Sequence, residues 1–183
     1  MAYEPNYNES YSSTKYEGNR VQVAKGQTTM YQEASPFYDP MYPSIMQMWA
    51  NEALVDSGTR EWFDIYYGYF RMGIAGKVDE EMMEGWVEDG HFLVASVANN
   101  VYPYARVALT AWAYPTGSTT AGSDVPAGAR LTTADGIVYA YADGYRIKIN
   151  GYYVGTDWFP KDAYVNTNWE SGSTSSYYVQ FTQ

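Results

Sequence analysis

The apolar positions between residues 43 and 115 recur at intervals of three and four rather than two. These intervals run from Ile45 to Leu54, from Trp62 to Phe70 and from Met82 to Val87. Apolar residues three and four apart share one face of an α-helix, whereas strand residues alternate between two faces. The pattern therefore predicts a helical domain over residues 43–115, with three helices in its first part.

The last part of that segment, residues 92–114, leaves helix and strand as alternatives. Phe92, Val94 and Val97 fit neither period cleanly, and Pro103 introduces a kink or a break. We favour a helix here because the preceding stretches have helical spacing.

Turn-forming dipeptides dominate the C-terminal third of the chain. Asp135-Gly136, Asp143-Gly144 and Asn150-Gly151 follow one another at short, regular spacing, and such dipeptides are favoured in tight hairpins. Large residues alternate with smaller or charged ones between these turns. The alternating large residues are Ile137, Tyr139, Tyr141, Tyr145, Ile147 and Ile149. This pattern predicts an antiparallel meander with the large residues on its buried face.

The run Tyr-Arg-Ile-Lys-Ile-Asn-Gly-Tyr-Tyr-Val-Gly at residues 145–155 resembles the middle hairpin of bacterial SH3-like barrels. The resemblance is limited to this run, and it implies a small barrel without implying a ligand. Residues 177–182 are a last strand candidate, which could close the sheet or add to the edge of another molecule's sheet. A Gly/Ser/Thr-rich linker, residues 116–128, precedes this β-module of residues 129–183.

Residues 1–42 contain tyrosines scattered among polar residues, with few aliphatic ones besides Val21 and Val23. Such a segment buries too little apolar surface to offset the entropy lost on ordering. It is either a disordered tail or an extended arm that orders against a neighbouring subunit. The predicted fold class is α+β, with an extended N-terminal arm, a small helical domain and a C-terminal antiparallel β-meander or small SH3-like barrel.

The composition excludes several kinds of site. The 183 residues include no cysteine and one histidine, and the formal net charge is −10. Without cysteine there is no disulfide, no thiolate zinc site and no cysteine nucleophile. The acidic excess disfavours direct binding to the phosphates of nucleic acids. No glycine-rich phosphate or dinucleotide motif occurs, and we therefore expect no cofactor.

Signals for export and membrane insertion are also missing from the sequence. The first residues lack a basic stretch followed by an apolar one, so we expect no cleaved secretory signal. Polar residues and a proline interrupt the longest apolar stretch, residues 92–114, so we expect no membrane span. The protein is therefore expected to be made in a cytoplasm.

Two features invite a catalytic or metal-binding interpretation, and both have a simpler explanation. His91 follows Glu88 and Asp89, which are expected to tune a surface imidazole, and no nucleophile motif accompanies it. The acidic run over residues 79–89 resembles a solvated helix face whose first charges favour the helix dipole. We therefore expect neither a metal site nor enzymatic activity, and a carboxylate-dependent hydrolase is the least favoured function.

The 21 tyrosines exceed what a core of this size needs, and tyrosine is a favoured interface residue. We therefore expect a non-enzymatic structural subunit of a multi-copy assembly, most plausibly a bacteriophage virion component such as a head–tail connector, a capsid-accessory protein or a tail-attachment protein. Its partners would be its own copies and other subunits of a particle assembled in the host cytoplasm. The interface candidates are Tyr3, Tyr7, Tyr11, Tyr16, Tyr31, Phe37, Tyr38, Tyr42, Trp62, Tyr66 and Tyr69.

The alternative function is a carbohydrate- or cell-surface-binding module in the C-terminal part. Aromatic rings beside Asp and Asn suit the faces of pyranose sugars, and the same rings could equally form the module's own core. The residues of this possible glycan platform are Trp158, Trp169 and Tyr177.

Overall fold

The chain folds almost entirely into antiparallel β-strands. The computed structural model describes residues 17–31, 44–64, 69–78, 81–142, 145–167 and 178–182. Within these ranges there are two curled sheets and a single 3-10 turn, Asp89–His91, and no α-helix. No helix in these parts of the chain is long and apolar enough to cross a membrane.

The first sheet takes its strands from the N-terminal half of the described chain. They are β1 (Val21–Ala24), β2 (Thr28–Tyr31), β3 (Ser44–Met48), β4 (Ala53–Asp64), β5 (Tyr69–Val78), β6 (Glu81–Glu88) and β7 (Phe92–Val94). Their order across the sheet is β3-β2-β6-β5-β4-β1-β7, and each neighbouring pair is antiparallel.

The second sheet is built around one long strand. Its members are β8 (Tyr102–Ala105), β9 (Arg130–Thr132), β10 (Ala140–Tyr141), β11 (Arg146–Val154), β12 (Asp157–Asn166) and β13 (Val179–Thr182). β11 pairs with β12 on one side and with β10 and then β9 on the other. β8 extends the sheet from β9, and β13 lies beside β8.

An extended segment, residues 136–140, hydrogen-bonds to the first sheet and leads into β10 of the second. The amide of Val21 donates to the carbonyl of Val138 at 2.8 Å, and the amide of Val138 donates to Ala95 at 3.0 Å. At the start of this segment, the amide of Val97 donates to the carbonyl of Gly136 at 2.9 Å. The segment therefore fills the space between the start of β1 and the residues that follow β7.

The hydrophobic core lies on both faces of the first sheet. The larger cluster is shared with the second sheet and includes Val55 and Ala75 from the first sheet and Ile147 from the second. The smaller cluster packs on the opposite face of the first sheet. It consists of Ala24, Met30, Met48, Leu54, Met72, Ile74, Val87 and Phe92. Because these residues come from all seven strands, the first sheet curls around them.

The predicted helical domain, and with it the α+β class, is wrong. Residues that were assigned to three helices form parts of β3–β6 instead. The reason is visible at residues 71–75, which are buried without a break. Ala75 faces the larger core, while Met72 and Ile74 face the smaller one. A strand that is buried on both faces loses its period of two, and what remains can mimic helical spacing.

The helix favoured for residues 92–114 is also absent. β7 and β8 occupy parts of this stretch, and Leu109 and Trp112 form isolated bridges to Val125 and to Thr120 and Tyr164. Pro103 is buried within β8, where it lies opposite Phe181 of β13. Proline is tolerated in a strand where no ladder hydrogen bond from its nitrogen is needed.

The extended N-terminal arm of the predicted fold needs a similar correction. Residues 21–24 and 28–31 form β1 and β2, and the side chains of Val21 and Val23 are fully buried in the larger core. Two valines are enough because the rest of that core comes from distant parts of the chain. Residues 1–16 and 32–42 of the predicted arm lie outside the described residues.

The C-terminal strands do not form a separate meander, because β8 from the middle of the chain belongs to the same sheet. The turn predicted at Asp135-Gly136 is present, with the amide of Gly136 donating to Thr133 at 3.3 Å. The turn predicted at Asn150-Gly151 is wrong, since both residues lie inside β11. The chain instead reverses at residues 155–156, between β11 and β12. Asp143-Gly144 lies outside the described residues.

Candidate ligand-binding clefts

The turn at residues 133–136 borders two clefts, and Thr133 and Asp135 line both of them. A carboxylate oxygen of Asp135 accepts a hydrogen bond from the amide of Ile137 at 3.0 Å. Gly136 has a φ of +75°, a conformation that favours glycine, and this lets the chain turn back beside Val97. The carboxylate is therefore fixed at the edge that the two clefts share.

The first cleft, which we call the tyrosine cleft, has a volume of about 340 Å³. It is lined by Thr133, Ala134, Asp135, Ile137, Tyr139, Tyr141, Lys148, Ile149, Asn150 and Asp162. Two half-exposed tyrosines thus stand among carboxylate, amide and ammonium groups. Such a mixture of ring surface and hydrogen-bonding groups is typical of sites for small polar ligands.

Contacts around the tyrosine cleft hold its polar groups in place. The ring of Tyr141 meets that of Tyr164 edge-on, with centroids 5.5 Å apart. The ammonium nitrogen of Lys148 lies 5.6 Å from the ring centroid of Tyr164 and 3.9 Å from a carboxylate oxygen of Asp162. The hydroxyl of Thr132 donates to the side-chain oxygen of Asn150 at 2.6 Å. These contacts position the side chains of the cleft before any ligand arrives.

The pKa of both tyrosines in this cleft is raised above that of free tyrosine. The hydrogen bond from Tyr139 to Asp135 is the main cause that raises the pKa of Tyr139, with burial as the second cause. Burial is the main cause that raises the pKa of Tyr141, and the neighbouring Tyr164 adds to it. At neutral pH both phenols can therefore donate and accept hydrogen bonds.

The Asp135→Asn substitution is expected to lower the pKa of Tyr139 towards the ordinary tyrosine value of about 10. A raised pKa means that the folded state holds the proton more tightly, so this stabilisation is complete below about pH 10 and disappears as the phenol ionises. The pKa is measured by NMR on tyrosine labelled with ¹³C at Cζ, and the Tyr139→Phe variant assigns the signal. Asp124→Asn serves as the control, and an unchanged titration of Tyr139 in Asp135→Asn would contradict the assigned cause.

The second cleft, which we call the arginine cleft, has a volume of about 440 Å³. It is lined by Ser96, Val97, Val101, Tyr102, Pro103, Arg130, Leu131, Thr132, Thr133, Asp135, Gly136, Val138 and Tyr153. Apolar residues supply one part of this lining, and Arg130, Asp135 and two tyrosines supply the other.

Arg130 lies between two tyrosine rings because of the strand register. It is opposite Tyr153 in β11 and opposite Tyr104 in β8, and Tyr102 lies two residues before Tyr104 on the same face. The guanidinium carbon of Arg130 is 4.9 Å from the ring centroid of Tyr102 and 4.7 Å from that of Tyr153. Both distances fall within the usual range of cation–π contacts.

Trp158, the one described residue of the predicted glycan platform, lines neither cleft. Trp158 lies in β12 with 47% of its surface exposed, and its indole covers Gly151 of the neighbouring strand. Trp169 and Tyr177 lie outside the described residues. Of this predicted platform, the described part of the chain therefore contains Trp158 alone.

The predicted interface residues are divided between the first sheet and undescribed parts of the chain. Tyr31 in β2 lies under Arg71, whose guanidinium carbon is 3.9 Å from the ring centroid. Trp62 and Tyr69 belong to β4 and β5, which pair with each other. The others, Tyr3, Tyr7, Tyr11, Tyr16, Phe37, Tyr38, Tyr42 and Tyr66, lie outside the described residues.

His91 takes part in a short chain of hydrogen-bonding groups away from the clefts. Its Nδ1 is 2.9 Å from the hydroxyl of Thr28, and its Nε2 is 3.2 Å from a carboxylate oxygen of Glu88. Thr28 is buried, and none of these residues lines the tyrosine or the arginine cleft. The contact joins β2 to the end of β6, which is a structural role. No cluster of His, Asp and Glu fit to hold a metal ion occurs among the described side chains.

The sequence pattern did not predict the cleft residues, because the wrong face of the segment at residues 137–141 was expected to be buried. Ile137, Tyr139 and Tyr141 were predicted to be buried, yet they line the tyrosine cleft while Val138 and Ala140 enter the core. The space between the two sheets at this point accepts small side chains. The alternation of these residues with a period of two was therefore predicted correctly. The size of the side chains, however, did not indicate which face is buried.

Comparison with known proteins gives no family. The sequence matches no family model and no curated protein. NlpC2 from Trichomonas vaginalis is a similar solved structure, at 10% identity and a TM-score of 0.34, over 84% of this chain and 48% of that one. NlpC1 from the same organism is similar at 13% identity and a TM-score of 0.35, over 87% of this chain and 48% of that one. The chain spans about half the length of these two structures, and similarity this low transfers neither fold nor function.

Proposed function

We propose that this protein is a non-enzymatic binding module that takes a saccharide in its tyrosine cleft. The observation that carries the proposal is the pair of half-exposed rings, Tyr139 and Tyr141, set among Asp135, Lys148 and Asn150 in one cleft. This keeps the carbohydrate-binding alternative and moves it from Trp158, Trp169 and Tyr177 to these two tyrosines.

The chemistry of the cleft suits a ligand rich in hydroxyl groups. A pyranose has an apolar face that packs on an aromatic ring and hydroxyls that require donors and acceptors around its edge. Tyr139 supplies both a ring and a phenol, and Asn150 supplies an amide whose oxygen accepts from Thr132 at 2.6 Å. The carboxylate of Asp135 supplies acceptor oxygens at the rim.

The carboxylates of this cleft are engaged in ways that fit binding better than catalysis. Asp135 already accepts hydrogen bonds from the amide of Ile137 and the phenol of Tyr139. Asp162 has 85% of its side chain exposed beside Lys148. A glycosidase holds its general acid in surroundings shielded from water, whereas the carboxyl of Asp162 faces solvent beside an ammonium group.

Assembly into a bacteriophage particle stays a prediction, and no observation on this molecule favours it. Three of its interface candidates, Trp62, Tyr66 and Tyr69, fall in a stretch that was predicted to be helical, and the described part of that stretch lies in β4 and β5. Another support was the arm, of which residues 21–24 and 28–31 belong to the first sheet. The proposed binding function does not depend on either feature.

Replacing Tyr139 by Ala is expected to weaken saccharide binding by about tenfold or more, because truncation of a central aromatic contact costs about 1–2 kcal/mol or more. A glycan array identifies the ligand, and calorimetry then measures Kd for the wild type and the variant. Tyr139→Phe keeps the ring and removes the phenol, so it separates ring packing from hydrogen bonding.

Tyr178→Ala is the matched control, since Tyr178 is an exposed tyrosine that lines neither cleft. Its affinity should equal that of the wild type. If no glycan on the array binds, or if Tyr139→Ala binds the ligand as tightly as Tyr178→Ala does, the proposed function is wrong.

A further inference from the structure

We propose that the arginine cleft binds a carboxylate group through Arg130, so that the preferred ligand is an acidic saccharide containing a uronic acid. The inference rests on the proposed function, and it adds the charge of the ligand and a second subsite. It is carried by the way in which Arg130 is held, by the charges around it and by the position of its cleft.

Arg130 is held in place by its ring contacts while its donors remain available. The two tyrosine rings, 4.9 and 4.7 Å away, pack against the guanidinium, whose five N–H groups lie in its own plane. Within the described part of the chain, the side chain of Arg130 contacts the rings of Tyr102 and Tyr153 and forms no hydrogen bond or ion pair. A guanidinium with a fixed orientation and free donors is preorganised for a planar anion.

Arg146 gives the contrasting case within the same sheet. Its guanidinium carbon also lies near an aromatic ring, 4.8 Å from that of Trp112. Its nitrogens, however, donate to the carbonyl oxygens of Tyr114 and Gly117 at 2.8 and 2.7 Å and to the side chain of Asn166 at 3.0 Å. Each guanidinium nitrogen of Arg146 therefore donates a hydrogen bond inside the protein, whereas Arg130 offers its donors to the cleft.

The surrounding charges favour a carboxylate over a phosphate. Asp135 lines the same cleft as Arg130, and the chain carries a net charge of −10. Repulsion between anions grows with the charge of the ligand, so a singly charged carboxylate is less disfavoured there than a phosphate dianion. A carboxylate also matches the planar, two-donor edge of the guanidinium.

The two clefts are placed so that one ligand can occupy both. They share Thr133 and Asp135, which lie in the turn that borders each of them. A linear oligosaccharide can therefore pack one ring in the tyrosine cleft and direct the carboxylate of an adjoining residue towards Arg130. Two linked contacts raise the affinity more than either alone, because the second becomes intramolecular.

The test compares β-glucuronosyl-cellobiose, a linear trisaccharide with a single carboxylate, with its methyl ester, which has the same rings and no charge. By calorimetry with the full chain, the acid should bind about tenfold more tightly than the ester. Arg130→Gln should remove this difference by weakening the acid while leaving the ester unchanged. Tyr139→Ala should weaken both ligands. Arg130→Lys should recover only part of the preference, because an ammonium lacks the planar pair of donors.

NMR titration of the wild-type protein keeps the test independent of how the variants fold. The acid should shift the side-chain Nε–H signal of Arg130 and the ring signals of Tyr102 and Tyr153, and the ester should leave the Arg130 signal in place. Trialanine supplies a peptide carboxylate as a further probe and should cause no such shift.

The outcomes separate this inference from the proposed function. Equal affinity for acid and ester, or a preference that survives Arg130→Gln, overturns the carboxylate subsite while binding in the tyrosine cleft still stands. Binding of trialanine at Arg130 without binding of β-glucuronosyl-cellobiose contradicts the proposal that the ligand is an acidic saccharide. Absence of binding to any glycan removes the proposed function itself.

Discussion

Phe181→Ala is expected to destabilise the protein by about 3–5 kcal/mol, the usual cost of removing a buried phenylalanine ring. Phe181 is 1% exposed, and it belongs to the larger core although it lies at the C-terminal end of the chain. For a chain of this length, such a loss lowers Tm by roughly 10 °C. Urea unfolding followed by tryptophan fluorescence measures the free energy of unfolding.

Gln180→Ala is the matched control for Phe181, because Gln180 lies in the same strand and alternates to the other face. We expect its effect to be small. An equally small effect of Phe181→Ala would mean that β13 does not close the sheet beside β8, and that the strand is free to pair elsewhere, as the second alternative of the sequence analysis held.

Gly151→Ala is expected to destabilise the protein by about 1–3 kcal/mol, the usual cost of overpacking. A Cβ atom at this position would lie 2.7 Å from the carbonyl oxygen of Phe159 and 2.7 Å from the indole Nε1 of Trp158. The backbone oxygen belongs to the paired strand and cannot rotate away. The substitution should therefore separate β11 from β12 at this point, which thermal unfolding measures as a lower Tm.

Gly26→Ala provides the control, because a Cβ atom there would meet no atom within 4 Å. Replacing an unstrained glycine by alanine reduces the entropy of the unfolded chain and stabilises by about 0.4–1 kcal/mol. The two substitutions should thus change stability in opposite directions. If Gly151→Ala were as harmless as Gly26→Ala, the indole of Trp158 would not lie over Gly151.

The parts of the fold that the sequence predicted correctly are those where a strand has one buried face. Ile147 and Ile149 alternate with exposed residues in β11, and both are buried as expected. The turn at Asp135-Gly136 was equally readable, because Gly136 needs a positive φ. In both places a local rule and the surrounding packing lead to the same structure.

β5 of the first sheet was not readable in this way, since residues 71–75 are buried without a break. Met72 and Ile74 enter one core and Ala75 enters the other, so no exposed polar residue marks an outer face of this stretch. Asn150-Gly151 failed for a different reason. The dipeptide has the residues of a hairpin turn, but Gly151 is required in mid-strand to make room for Trp158. Neither requirement is local, and neither can be seen in the neighbouring residues.

The candidate site shows the same limit. Tyr102, Arg130 and Tyr153 are far apart in sequence, and only the register of β8, β9 and β11 brings them together. No motif links them along the chain. Tyr139 and Tyr141 were noticed in the sequence, but their face depends on the space left between the two sheets, which a single strand does not determine.

The segment at residues 136–140 has a mechanical consequence. It is bonded to Val21 and Ala95 at the edge of the first sheet, and it also leads into β10 of the second. Neither sheet can therefore detach unless the backbone hydrogen bonds of this segment, which contains Tyr139, are broken. We therefore expect the two sheets to unfold in one cooperative step. A ligand that binds this segment would therefore stabilise both sheets against unfolding, and not only the sheet that it contacts.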